Sequence, residues 1–265
     1  MIRSRKFVVL TVVSVGAAVA ALVNPAAALA APTARTCHGG SVPAGTYSRL
    51  TIAGFCMLDQ GNVRVTGNVV LAPEAALNAG FGGSNLTVGH SVKVGQDAIL
   101  VLGCEPEAFI CFNDPDQTNG TLATHDRVGR NLVGDGALMM LIHNNRIGRN
   151  VVQSGGGGGD TCDNFPLGPD GPPAYSTYED NTIGRNAAID GLTTCWTGFI
   201  RNHVAGNVIY NNVVDNDPDG NEITSNVIGR NLNCSGDDPK PQFGDSSGVA
   251  NIVGGRQNGQ CTHIT

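Results

Sequence analysis

One six-residue pattern returns six times between residues 126 and 256, and it constrains the fold more than any other feature of the chain. The copies are Asp126-Arg-Val-Gly-Arg-Asn131, Asn145-Arg-Ile-Gly-Arg-Asn150, Asn181-Thr-Ile-Gly-Arg-Asn186, Asn202-His-Val-Ala-Gly-Asn207, Asn226-Val-Ile-Gly-Arg-Asn231 and Asn251-Ile-Val-Gly-Gly-Arg256. The closing asparagines are 19, 36, 21 and 24 residues apart. Self-similarity near a twenty-residue period implies one supersecondary unit per repeat, stacked on the next. About twenty residues hold three short strands and three turns. The step of 36 is then one such unit plus an inserted loop.

Composition agrees. Only 14% of residues are charged and 37 are glycine, and no segment after residue 31 carries the 3.6-residue apolar period of an amphipathic helix. Short runs rich in Val, Ile, Leu and Thr (VRV, NVVL, LTV, VKV, ILVL, LMMLI, NVIYNNVV) are cut by Gly and Asn, the signature of many short strands and turns. The chain therefore reads as all-β, a single-domain right-handed parallel β-helix of roughly twenty-residue coils. Motif-bearing coils cover 126–256, looser coils 37–125, and an inserted loop about 155–178. Gly89 and Gly95, six apart, hint instead at a left-handed hexapeptide helix, but the longer copies do not follow that period.

Stacking predicts that equivalent side chains lie above one another about 4.8 Å apart. Val128, Ile147, Ile183, Ala205, Ile228 and Val253 are expected to form one buried column. Asn131, Asn150, Asn186, Asn207 and Asn231 are expected to form a buried amide ladder at one corner. The motif glycine would serve either a positive φ or a close approach. Four residues past each closing Asn stands a small polar residue (Asp135, Ser154, Asp190, Asn211, Ser235), usually followed by Gly.

On these corner motifs the chain resembles secreted right-handed parallel β-helix proteins of the pectin-lyase-like superfold. The resemblance covers 126–256 and names no activity. Enzymes of this form that cleave acidic polysaccharides carry carboxylates, often Ca²⁺, and a basic residue on one outer face. The resemblance therefore makes Asp135, Asp190 and Arg149 the candidate catalytic set. Asp135 and Asp190 share a register two coils apart, about 9–10 Å at the backbone, near the separation of an inverting carboxylate pair. Asp-Gly is also simply a good turn dipeptide.

Arg130, Arg149 and Arg185 occupy one motif position in three successive coils, and Arg230 repeats it after a skipped one. As a stripe they would clamp a polyanion such as a uronate chain, because arginine grips carboxylates through two N–H groups at once. Alternatively each pairs with a neighbouring Asp or caps turn carbonyls while its stem covers the corner.

The start of the chain reads as an export signal. Residues 1–30 hold a basic MIRSRK, the apolar run FVVLTVVSVGAAVAALV and the small-residue site Ala28-Leu29-Ala30. A membrane anchor is the competing reading, though the run is short for a span. The expected product is a secreted, extracellular domain of residues 31–265 with no stable membrane insertion after cleavage. Without Arg3, Arg5 and Lys6 it keeps 13 basic against 22 acidic residues, near −9, an unpromising nucleic-acid binder.

Eight cysteines in an exported chain suggest four disulfides. The expected pairs are local: Cys37–Cys56, Cys104–Cys111, Cys162–Cys195 and Cys234–Cys261, among the 105 pairings that eight cysteines permit. Cys162–Cys195 would tie the inserted loop close to Trp196, the only tryptophan.

No zinc spacing and no G-x-S-x-G or H-E-x-x-H motif is present. His38, His90, His125, His143, His203 and His263 are scattered, expected at surfaces and turns. No metal site or cofactor is expected. Ca²⁺ enters only with the enzyme reading, through Asp160, Asp163, Asp170, Glu179 and Asp180. The leading expectation is a non-enzymatic structural or surface-interaction protein, with an acidic polysaccharide or cell-surface component as partner. The alternative is a lyase or hydrolase acting on acidic polysaccharide.

Overall fold

A computed structural model describes residues 31–80, 84–104, 126–246 and 248–264. The leader (1–30), His125 and Cys111, and with Cys111 the Cys104–Cys111 pair, lie outside them. The described chain is all-β apart from one 3₁₀ turn, Gln260–His263, and every strand pairing is parallel. Among the described residues no helix is long and apolar enough to cross a membrane.

Strands fall into three recurring faces. The first contains Arg127–Val128, Arg146–Ile147, Thr182–Ile183, His203–Val204, Val227–Ile228 and Ile252–Val253, each paired with the next. The second contains Leu132–Asp135, Val151–Ser154, Ala187–Asp190, Val208–Asn211 and Leu232–Ser235. The third is an eight-stranded sheet from Gly40–Val42 to Glu222–Thr224. The chain visits the three in order and returns to the same register one repeat later, an arrangement compatible with a parallel β-helix. Earlier rows join the same columns: Val65 and Val88 lead to Val128, and Val69 and Val92 to Leu132.

Alternation sets what is buried. On the second face Leu132, Val151, Ala187, Val208 and Leu232 point inward and are fully buried, while Val133, Val152, Ala188 and Ile209 between them point out. On the first face the buried column is Val128, Ile147, Ile183, Val204 and Ile228, with Val253 partly buried at its end. Ala205 does not belong to it. That residue is exposed in the glycine position, and its neighbour Val204 faces the core.

The expected buried ladder is also corrected. The closing asparagines do stack: Asn150 donates its N–H to Asn131 Oδ1 at 3.2 Å, Asn186 to Asn150 at 3.2 Å, Asn207 to Asn186 at 2.8 Å and Asn231 to Asn207 at 3.1 Å. They do so at a solvent-accessible corner. The buried ladder is built from the opening asparagines, Asn145, Asn181, Asn202 and Asn226, each at most 2% exposed. Here the backbone N–H of one row donates to the Oδ1 of the following row, at 2.9, 3.0 and 2.8 Å, and Asn226 continues it to Asn251. Each Nδ2 donates in turn to a core carbonyl: Asn145 to Leu102, Asn181 to Ile142, Asn202 to Tyr178 and Asn226 to Phe199. Asp126 heads this series, its Oδ1 accepting the Leu86 N–H.

The motif glycines need close approach rather than a positive φ. A Cβ on Gly148 or Gly184 would meet the carbonyl oxygen of the equivalent glycine one row earlier. Positive φ falls at other corners, on Asn144, Asp180, Arg201 and Ser225 just before the buried asparagines.

The five-glycine run does not leave the stack, as the sequence suggested it would. Gly155 N–H donates to Asp190 O and Gly157 N–H to Ala137 O, so the run still threads between neighbouring rows. All five residues have positive φ, and a Cβ at Gly156 or Gly157 would strike the carbonyl of Ala137 or Thr193. The insertion departs only after Gly159 and rejoins the third face at Ser176–Glu179. Disulfides Cys37–Cys56, Cys162–Cys195 and Cys234–Cys261 are formed. The second ties the insertion beside Trp196, whose ring lies 5.9 Å from that of Tyr175. The third holds the closing 3₁₀ turn, with Cys261 fully buried.

Candidate functional site: a basic face

Basic side chains recur at two outward motif positions, the second in Arg127, Arg146 and His203 and the fifth in Arg130, Arg149, Arg185 and Arg230. The motif's second residue gives the first face an exposed column containing Arg64, Thr87, Arg127, Arg146, Thr182 and His203. Its fifth residue stacks at the next corner. The N–H of Arg130 donates to His90 O, Arg149 to Arg130 O, Arg185 to Arg149 O, Gly206 to Arg185 O and Arg230 to Gly206 O, at 2.6–3.1 Å. The three arginines expected to stack, Arg130, Arg149 and Arg185, thus stand in adjacent rows, all exposed.

With Lys93 and Arg256, this region holds nine of the thirteen Lys and Arg residues that follow the leader. Between each opening Asn and the end of the inward second-face pair it contains no acidic residue except the buried Asp126. Clustering of this kind favours anions over the two columns, with Asp135 and Asp190 at the far end of the second-face strands. Among the described residues none of Arg127, Arg130, Arg146, Arg149, Arg185 or Arg230 has an acidic partner. The ion pairs seen there belong to Arg201, with Glu179 and Asp180, each at 2.8 Å.

Asp135 and Asp190 share a column with Ser154 between them, as their spacing predicts. Both are exposed, and Asp190 Oδ1 accepts the Asn212 Nδ2–H at 3.0 Å. Asp135 borders a depression with Pro73, Gln96, Asp97 and Gly156. Arg149 stands before the start of the strand that ends at Ser154, five residues or about 16 Å along an extended backbone. The two aspartates and Arg149 therefore sit at opposite edges of the second face. Among the described residues no group of three or more His, Cys, Asp or Glu is placed to hold a metal ion.

Several titratable groups that sequence reasoning passed over are buried. Burial pushes Asp126 and Asp237 up to about 7 and Asp215 to about 6. Glu222, fully buried, is likewise raised by burial to about 7, against the Trp196 Nε1–H bond at 3.2 Å. His143, expected at a surface, is buried, and desolvation lowers it to about 4. The nearby carboxylate Glu179 accepts both the Thr177 hydroxyl, at 2.5 Å, and the Arg201 guanidinium. Glu222 and Asp215 lie against the inserted segment that follows Ser235, through the Ser246 hydroxyl on Glu222 and the Asp215 N–H on Asp238 O, and Asp237 belongs to that segment.

No protein family, curated protein or solved structure matches this chain. Its chemistry has to be read from the faces themselves.

Proposed function

We propose that this is a secreted, non-enzymatic protein of right-handed, pectin-lyase-like β-helix form, whose basic face docks an acidic polysaccharide. The observation that carries this reading is the pair of exposed, arginine-bearing columns in which, among the described residues, no arginine has an acidic partner. Rows about 4.8 Å apart present cations at about the length of one sugar in an extended glycan. The match to duplex DNA is poorer, since each strand advances about 3.4 Å per phosphate. Three disulfides suit an oxidising, extracellular setting.

The protein is expected to sediment with insoluble polygalacturonate at low salt and to be released as salt rises, since screening weakens exposed charge contacts. The triple variant Arg130→Gln/Arg149→Gln/Arg185→Gln should bind at least about tenfold more weakly, about 1.4 kcal/mol, with an unchanged melting temperature. Unaltered binding by that variant would sink the reading. So would release of unsaturated or reducing ends when polygalacturonate or alginate is incubated with the protein and Ca²⁺, which would instead favour the lyase or hydrolase.

Export has its own check. Protein recovered from the medium should begin near Ala31. An intact Met1 in a membrane fraction would contradict secretion.

A further inference from the structure

The arginine column is broken once. In the row of Asn202–Asn207 the stacked position holds Gly206, preceded by the small Ala205. The break leaves a depression of about 290 Å³ lined by Gly184, Arg185, Asn186, Ala205, Asn207 and Arg230, with Gly206 at its floor. No acidic residue lines it. Arg185 and Arg230 are two rows apart, about 9–10 Å at the backbone, one on each side of the gap.

Glycine is required at the floor by packing. A Cβ on Gly206 would meet Asn186 Oδ1 and Arg185 O. The side walls offer further donors. Asn186 Nδ2 and Asn207 Nδ2 each make one long bond along the surface ladder, at 3.5 and 3.4 Å, and a primary amide has two N–H groups.

We propose that this notch is the anchoring subsite of the basic face. It takes a single uronate ring, whose carboxylate is held between the Arg185 and Arg230 guanidiniums while the Asn186 and Asn207 amides donate to ring hydroxyls. The inference rests on the polysaccharide reading and adds to it a position, an orientation and a ligand class. The volume of about 290 Å³ falls just below the usual range of ligand sites, roughly 300–1,000 Å³, so it accommodates one ring and not an oligomer. The polymer continues along the stack over Arg149 and Arg130. Two guanidiniums converging on one carboxylate in a concave site hold it more strongly than separate exposed charges do.

The test uses a short oligogalacturonate and the long polymer on the full mature protein, read by calorimetry. Two double variants, Arg185→Gln/Arg230→Gln and Arg130→Gln/Arg149→Gln, remove equal charge. A third variant, Ala205→Gln, fills the notch from a residue that already carries an exposed Cβ, leaving the Gly206 floor intact. The short oligomer should lose at least about tenfold in affinity with the first double variant and with Ala205→Gln, and change less than about twofold with the second. The long polymer should weaken with both double variants. Equal weakening of the short oligomer by both double variants, or no effect of Ala205→Gln, would overturn the notch while leaving diffuse docking intact. Failure of the wild-type protein to bind the long polymer would overturn the docking reading itself.

Discussion

Replacing Asn202 by leucine is expected to cost about 3 kcal/mol or more. Its side chain is fully buried. Oδ1 accepts the Asn181 N–H and Nδ2–H, both at 3.0 Å, and Nδ2 donates to Tyr178 O at 2.7 Å and to Asn226 Oδ1 at 3.1 Å. Leucine matches the volume and none of the polarity. It strands the Asn181 N–H and the Tyr178 carbonyl without water, and each buried orphan costs about 1–3 kcal/mol. For a domain of this size the melting temperature should fall by about 6 °C or more. The matching change on the outer ladder, Asn186→Leu, should cost less than about 1 kcal/mol, because Asn186 is exposed and water replaces what is lost. Urea melts of the two variants side by side decide it. Equal losses would mean that the buried ladder is not the stronger one.

The second large effect is on pH. Asp126, Asp215, Glu222 and Asp237 all have folded pKa values raised by burial, to about 6 or 7. Between the ordinary carboxylate range and those values the unfolded chain has released the proton and the folded chain still holds it. Stability therefore falls as pH rises through that window. His143 works in the opposite sense. Its folded value is lowered to about 4, so its contribution is present above its ordinary 6.5 and is lost as pH falls toward 4. Four groups oppose one, and each tenfold change in proton affinity is worth about 1.4 kcal/mol. Stability should decline by more than about 2 kcal/mol from pH 5 to pH 7.5, and Asp237→Asn should flatten the decline. A melting temperature that rises over the same range would refute this assignment.

The strand periodicity and the parallel stacking of the motif were legible in the sequence, because a fixed offset fixes register, and the three cysteine pairs among the described residues follow the local pairing expected. Which asparagine is buried was legible too, by a rule that the motif's near-symmetry obscured. Successive strand side chains alternate, so residues i and i+2 share a side. Asn145 and Ile147 are such a pair, and the isoleucine is inward. Asn150 directly precedes the inward Val151 and so faces outward.

The charge segregation was also present in the sequence. Viewed through the fifth motif position alone it looked like a stripe, whereas Arg127 and Arg146 at the second position make it a face. The buried carboxyls were not legible. Whether Glu222 or Asp215 is solvated depends on which inserted segment covers it, and pairing patterns along the strands do not encode that. The five glycines misled because a run without side chains reads as a loop. Here absent side chains let neighbouring backbones close on both sides.

The two asparagine ladders run in opposite senses. In the buried one each row's amide oxygen serves the row before it, and in the outer one it serves the row after. Each row is therefore bonded only to its two neighbours, through the same two chemical groups above and below. Such a molecule has no unique centre. A row could be duplicated or lost in a gene and the seam would still close, asparagine onto asparagine at both corners. Because the arginines belong to the same six-residue unit as the ladders, duplicating an arginine-bearing row such as Asn145–Asn150 would lengthen the charged track by one step. The reach of the protein along a polymer and the length of its core are thus inherited together, as one heritable variable.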